Sequence, residues 1–162
     1  MEQQQPGGAK GFDMAAMALA TKIILVAGIL LLVFSFLQWQ KVCIGAVAGF
    51  PGACAGVSAW SGSGSFAGLL MGLLLIVLLI FEGVQLANVN MNLPIASTKV
   101  SAYLAWAVAV FAIIKILIVL TSPVKPSIFA WIGLILALVV GYGGYLHFQA
   151  EEAAAPPPPA AS

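Results

Sequence analysis

Residues 66–87 read FAGLLMGLLLIVLLIFEGVQLA, and the first sixteen of these residues contain nothing more polar than glycine. At about 1.5 Å per residue, a helix of this length spans a hydrocarbon core of about 30 Å. A buried strand needs only about 4–8 residues, so the length of the stretch argues against a strand. The stretch therefore predicts a transmembrane helix.

Three further apolar segments of similar length accompany this one, at residues 17–38, 100–121 and 128–148. Four such spans predict an all-α fold, a four-helix transmembrane bundle with up-down-up-down topology. The link at residues 122–127 is only six residues long. Because it is so short, we expect the last two spans to be antiparallel neighbours.

The composition also favours lipid as the solvent of this chain. Its 162 residues are 62% hydrophobic and 7% charged, whereas an ordinary soluble domain carries about 25% charged residues. The net charge is +1, and the sequence has no basic patch, which argues against a nucleic-acid partner. The expected partners are the lipid bilayer and other membrane proteins, including further copies of this chain.

Polar or low-complexity segments flank the predicted membrane domain, residues 17–148. Residues 1–16 are expected to form a disordered N-terminal segment. Residues 149–162 read as an Ala/Pro-rich disordered tail, because their four consecutive prolines exclude a helix and favour an extended chain. The first apolar segment also resembles a signal peptide with AVA at 46–48 as cleavage site, but its length favours a retained span.

The two cysteines, Cys43 and Cys54, lie in the longest predicted loop, residues 39–65. A disulfide between them would close a segment that contains GFPG, a sequence typical of a tight turn. It would stabilise the fold by about 2–3 kcal/mol. We expect this structural disulfide, with two free thiols as the alternative. A zinc site is not expected, because zinc takes four ligands and no histidine or carboxylate lies nearby.

Four spans place both termini on the same side of the membrane. With cytoplasmic termini, three lysines lie inside (Lys10, Lys22, Lys99) and two lie outside (Lys41, Lys125), a weak positive-inside preference. The cysteines agree, because their loop then faces a compartment in which disulfides form. We therefore expect a multi-pass protein of the plasma (cell) membrane with both termini cytoplasmic.

A tryptophan followed by two cysteines in the first outer loop, here Trp39, Cys43 and Cys54, resembles the claudin-type signature of four-span proteins. The wider pattern has AWSGSG at 59–64 before span two and GYGGY at 141–145 near the end of span four. This pattern resembles small four-span bacterial integral membrane proteins of unassigned function. The resemblance implies a location in the membrane, and no activity or site residue is carried over from it.

Three charged residues fall within the predicted spans, namely Lys22, Glu82 and Lys115. A charge at mid-membrane costs about 2.5–3.5 kcal/mol, so intramembrane charges are candidates for a functional role. Lys22 and Glu82 lie at a similar depth, about 7 Å from the inner end, whereas Lys115 lies about 22 Å from it. Three interpretations stay open: all three snorkel to headgroups, Lys22 and Glu82 form a salt bridge, or the charges line an ion or proton path.

His147, the single histidine, is predicted to lie at the interface at the inner end of span four and not to act as a ligand. Aromatic residues near the predicted span ends are typical of interfacial belts. These are Trp39, Trp60, Tyr103, Trp131 and Tyr145.

Small residues recur at every fourth position in the predicted spans. The stripes are Gly64, Gly68 and Gly72 in span two, and Gly133, Ala137 and Gly141 in span four. In lipid, such stripes allow helix backbones to approach closely. They predict tight helix contacts, either within the bundle or between protomers.

The few scattered titratable residues form no recognisable catalytic set or metal site, so we expect neither an enzyme nor a cofactor or metal. The first hypothesis is therefore an accessory subunit or envelope scaffold of a membrane complex. The alternative is a small transporter or channel for an ion, a proton or a solute that uses Lys22, Glu82 and Lys115.

Overall fold

The computed structural model describes residues 19–45, 52–87 and 97–154. Within these ranges the chain is mostly helical. The helices are α1 (Leu19–Ser35), α2 (Ser65–Leu86), α3 (Ser97–Thr121) and α4 (Ile128–Ala154). One helix falls in each of the four predicted spans.

Helices α2, α3 and α4 are long and apolar enough to cross a membrane. Helix α1 is a shorter apolar helix of 17 residues in the described part of the chain, which corresponds to about 26 Å. It ends at Ser35 because the chain turns there toward a strand that begins at Gln40. Length and composition therefore support three membrane spans directly.

The helices form a closed ring, because α1 packs against α2, α2 against α3, α3 against α4, and α4 against α1. The interior of the ring holds two apolar clusters. One is centred on Leu31, Leu75 and Val108, and the other on Ile24 and Leu78, and these five side chains are fully buried. Dense apolar packing therefore occupies the middle of the bundle.

The all-α prediction is wrong in one respect, because the chain also forms a small antiparallel sheet. Its strands are β1 (Gln40–Ile44), β2 (Ala53–Val57) and β3 (Lys125–Pro126), in the order β2-β1-β3. The backbone groups of the predicted loop need hydrogen-bond partners, and strand pairing supplies them. The link between the last two predicted spans contributes β3, so it is part of this sheet.

Helix α4 is described to Ala154, so the first residues of the predicted disordered tail, 149–154, are helical. Residues 149–154 read QAEEAA and are mostly good helix formers, so the helix continues through them. The predicted disordered segment 1–16 lies outside the described residues, as do the four prolines of the tail.

Candidate functional site

Two groups of buried polar side chains lie at opposite ends of the bundle. We call the end that carries the sheet the hairpin end and the opposite end the Glu82 end. Lys115, near the end of α3, contacts the turn that precedes α2. Glu82 lies near the end of α2, beside His147. Lys115 and Glu82, which have different predicted depths, therefore also lie at opposite ends of the structure.

Glu82 lies where all four helices meet. Its side chain is 1% exposed, and its Oε1 is 3.5 Å from Nε2 of His147 on α4. The same Nε2 atom is 3.4 Å from Oγ1 of Thr21 on α1. Ser101 on α3 is fully buried and also lies near the carboxyl. Each helix therefore contributes one polar side chain to this group.

The Glu82 carboxyl has no hydrogen-bond partner of good geometry among the described residues, at either oxygen. The Ser101 hydroxyl accepts a hydrogen bond from Nε2 of Gln85 at 3.2 Å, which leaves its own proton available for donation. An ionised carboxyl in an apolar interior is costly unless it is paired. The site therefore needs a proton or a cation at Glu82.

The partner that depth suggests for Glu82 is Lys22, whereas the contact of the Glu82 carboxyl that the structure describes is with the imidazole of His147. Lys22 is half-buried on α1 and borders an apolar groove of about 380 Å³ lined by residues of α1 and α4. His147 is 6% exposed, so its side chain lies inside the bundle. The interfacial depth of His147 stays a prediction, and the structure adds that its helix face points toward Glu82.

Lys115 reaches from α3 to the turn that precedes α2. Its side chain is fully buried. Its Nζ donates hydrogen bonds to the carbonyl oxygens of Ser61 at 3.1 Å and Ser63 at 2.7 Å. Gln40 binds the same turn, since its side-chain amide exchanges two hydrogen bonds with the backbone of Ser63. These contacts hold the turn before α2 against the bundle.

Two members of the glycine stripe, Gly68 and Gly72, contact a loop segment, and the third adjoins a helix. A Cβ atom at Gly68 would collide with the carbonyl oxygen of Ala59, and one at Gly72 with the ring of Trp60. Gly64 has a φ angle of +71° and adjoins Ile118 on α3. The stripe therefore allows residues 59–60 to pack tightly against α2.

The small residues of α4 divide between two kinds of contact. A Cβ atom at Gly133 would collide with the ring of Trp39. At Gly141, the nearest atom to a built Cβ is Cβ of Ala109 on α3, at 3.1 Å. Ala137 is buried in the core. The predicted close helix contact therefore occurs at Gly141, whereas Gly133 receives a loop side chain.

Trp39 and Trp60 are not simple belt residues. Trp39 is fully buried, and its Nε1 donates to the carbonyl oxygen of Phe34 at 2.8 Å. Trp60 donates from Nε1 to the Ser35 hydroxyl at 2.9 Å and stacks on Phe36. Because both indole donors are bound near the end of α1, the two rings connect the sheet to the helices.

The predicted disulfide between Cys43 and Cys54 is confirmed. The two residues are directly opposite each other in the register of β1 and β2, so the bond ties the two strands of the hairpin together. The hairpin end is therefore held by a covalent bond, two tryptophans and the buried Lys115.

The Glu82 end offers acid–base chemistry and few metal ligands. In the described part of the chain, no three His, Cys, Asp or Glu side chains come together in a way that could hold a metal ion. A carboxyl and an imidazole in contact can exchange a proton, and hydroxyls beside them can stabilise either form. No protein-family model, curated protein or solved structure matches this chain, and its function is therefore inferred from its own residues.

Proposed function

We propose that this protein is a non-catalytic, multi-pass protein of the plasma membrane that acts as an accessory subunit or envelope scaffold of a membrane complex. In this proposal α1 crosses the bilayer together with the three longer helices. The hairpin end faces outward, where the disulfide is stable, and both termini are cytoplasmic.

The packed interior is the observation that carries the proposal. Between Glu82 and Lys115 the bundle is filled by apolar side chains, among them the fully buried Leu31, Leu75 and Leu78. Interiors packed in this way leave little room for water or ions. A filled single bundle supports a structural role better than it supports a pore through the chain.

The fixed hairpin end gives the proposal further support. A transporter exposes its site to one side and then to the other by moving helices against each other. Such a movement would disturb the burial of Trp39, the hydrogen bonds of Lys115 and the contact of Gly68 with Ala59. These contacts suit a rigid body that presents a constant surface.

Helix α2 presents that surface as a continuous apolar stripe. Five of its large apolar side chains are 45–73% exposed, and they recur at spacings of three and four residues. They are Phe66, Leu69, Leu73, Val77 and Ile80. This spacing matches the seam through which a second helix packs in left-handed helix pairs. We place the partner helix on this stripe.

The experiment compares the size of the protein in its native membranes with its size after purification. Tagged full-length chain is extracted in mild detergent and separated by native electrophoresis, beside variants Val77→Trp and Leu138→Trp. Val77 lies on the α2 stripe, and Leu138 is a similarly exposed control on α4. We expect a species larger than the purified chain, lost in Val77→Trp and retained in Leu138→Trp.

Liposomes provide the second arm of this experiment. If the protein is a scaffold, we expect the flux of protons or ions across liposomes that contain the purified chain to be no larger than the flux across empty liposomes. A chain of unchanged size in native membranes, together with flux that Glu82→Gln abolishes, would contradict the scaffold role and establish the transporter alternative.

A further inference from the structure

The environment of Glu82 is unusual for a residue with a purely structural role. The carboxyl is 1% exposed, and neither oxygen has a hydrogen-bond partner among the described residues. A buried carboxylate without compensation is strongly disfavoured, most of all in a membrane. Burial of such a carboxyl group has a low free-energy cost only if the group binds a proton or lies against a cation.

His147 is the titratable group that the described residues place against this carboxyl. The other polar neighbours are uncharged hydroxyls, Thr21 from α1 and Ser101 from α3. On α2 itself the nearest polar side chain is Gln85, which is bound to Ser101. Among the side chains that the structure describes, the other charged residues at these helix ends are Lys22 on α1, Lys99 on α3 and Glu152 on α4.

We infer that Glu82 and His147 together form a proton-binding site at the Glu82 end of the bundle. With one proton present, the pair is either a carboxylate beside an imidazolium or a carboxylic acid beside a neutral imidazole, and both forms have no net charge. A second proton, taken from hydronium in the adjoining water, gives a carboxylic acid beside an imidazolium. Loss of that proton returns the neutral pair, so the protons balance without any other reactant.

The surrounding groups favour a proton over a metal ion as the ligand. The described residues supply one carboxyl and one imidazole, whereas a protein zinc site takes three or four strong ligands. The hydroxyls of Thr21 and Ser101 suit a proton site, since each can donate to the carboxylate or accept from the acid. Histidine is also the side chain that changes charge between about pH 5 and 8.

Four helices share this site, and its protonation therefore acts on the packing of all four. The neutral pair adds no net charge to the apolar interior. The doubly protonated pair places one net positive charge there, which weakens helix packing at the Glu82 end. Acidification at this end is expected to loosen the bundle locally.

The test uses the fact that His147 is the single histidine of the chain. The imidazole signals in nuclear magnetic resonance spectra of the full chain, in lipid nanodiscs, then report on one residue during a pH titration. In Glu82→Gln we expect the pH dependence of these signals to differ clearly from that in the unaltered chain, because a carboxyl and an imidazole in contact bind their protons as one coupled site. The control is Glu152→Gln, which removes an exposed carboxyl on α4, the helix of His147, and which we expect to leave the pH dependence of these signals unchanged.

Two results would overturn the proposal. One is a His147 titration that is the same in Glu82→Gln as in the unaltered chain. The other is a metal ion that remains bound to the purified full chain and is lost in Glu82→Gln, as seen by native mass spectrometry.

If Glu82→Gln does not fold, infrared spectroscopy of His147→Gln replaces the titration. We expect the carbonyl stretch of the protonated Glu82 carboxyl to change its pH dependence when the imidazole is removed. An unchanged pH dependence of that stretch would also overturn the proposal.

Discussion

The ring of Trp39 lies in the notch that Gly133 leaves in α4, while its indole N–H binds the carbonyl oxygen of Phe34 on α1. One side chain of the predicted outer loop thus bridges the first and last helices. Because the disulfide-tied hairpin begins at the next residue, Gln40, this contact fixes the position of the sheet on the bundle.

Replacement of Trp39 by alanine is expected to lower the free energy of unfolding by about 3–5 kcal/mol, the range found for buried aromatic residues. The loss has two causes, an empty notch beside Gly133 and the missing hydrogen bond from the indole to the carbonyl oxygen of Phe34. Trp131 provides the control at the same end of the bundle, because it is 42% exposed. Reversible unfolding in detergent should give a change below about 1 kcal/mol for Trp131→Ala, and equal losses for the two variants would contradict the anchoring role of Trp39.

Gly68 and Gly83 form a matched pair on α2. A methyl group at Gly68 would collide with the backbone carbonyl of Ala59, whereas no atom lies within 4 Å of a Cβ built at Gly83. Gly68→Ala should therefore destabilise the protein by about 1–3 kcal/mol, as overpacking does. Gly83→Ala should be neutral or stabilising by up to about 1 kcal/mol, since alanine favours a helix. Thermal unfolding in detergent measures both, and a stable Gly68→Ala variant would place this glycine against lipid.

Lys115 is expected to control the order of the turn before α2. Lys115→Met removes the ammonium that donates to the carbonyl oxygens of Ser61 and Ser63 and keeps a side chain of similar length, while the Gln40 amide still donates to Ser63. A charge-assisted hydrogen bond contributes about 1.5–3 kcal/mol. Amide hydrogen exchange across residues 58–64 should therefore accelerate at least about tenfold. The exposed Lys125 serves as control, and similar exchange rates in Lys115→Met and Lys125→Met would show that the ammonium does not hold the turn.

Long apolar segments could be located from the sequence because length and hydropathy are local properties. The helices within the predicted spans follow from these two properties. The Cys43–Cys54 bond follows from the position of both cysteines in one predicted loop. The sheet was missed because β1 and β2 have five residues each and β3 has two. Such short strands become stable only when the bundle end holds them.

The contacts of the small residues and the aromatic residues depend on tertiary structure. A glycine at every fourth position indicates a close approach, but the pattern is the same whether a helix or a loop approaches. Gly68 and Gly72 therefore receive Ala59 and Trp60, and not a neighbouring helix. Trp39 is close to a span end in sequence, but its ring lies inside the bundle. Its indole binds the carbonyl oxygen of Phe34, and the absence of a side chain at Gly133 leaves space for the ring.

The neighbour of Glu82 could have been found by a depth argument applied to every polar residue. Depth separates Glu82 from Lys115, and both residues lie apart in the structure. Glu82 and His147 have the same predicted depth, because each lies near the C-terminal end of its helix and both helices end at the same end of the bundle. A single histidine forms no periodic pattern, so the sequence alone did not indicate that its side chain faces Glu82.

The most direct measurement of the membrane arrangement is thiol labelling of intact cells with a maleimide that does not cross membranes. We expect no labelling of Cys43 and Cys54 without reductant, and labelling of both after a reductant is added to the intact cells. Labelling without any reductant would contradict the disulfide, and labelling only after both reduction and lysis would contradict the outward orientation of the hairpin end.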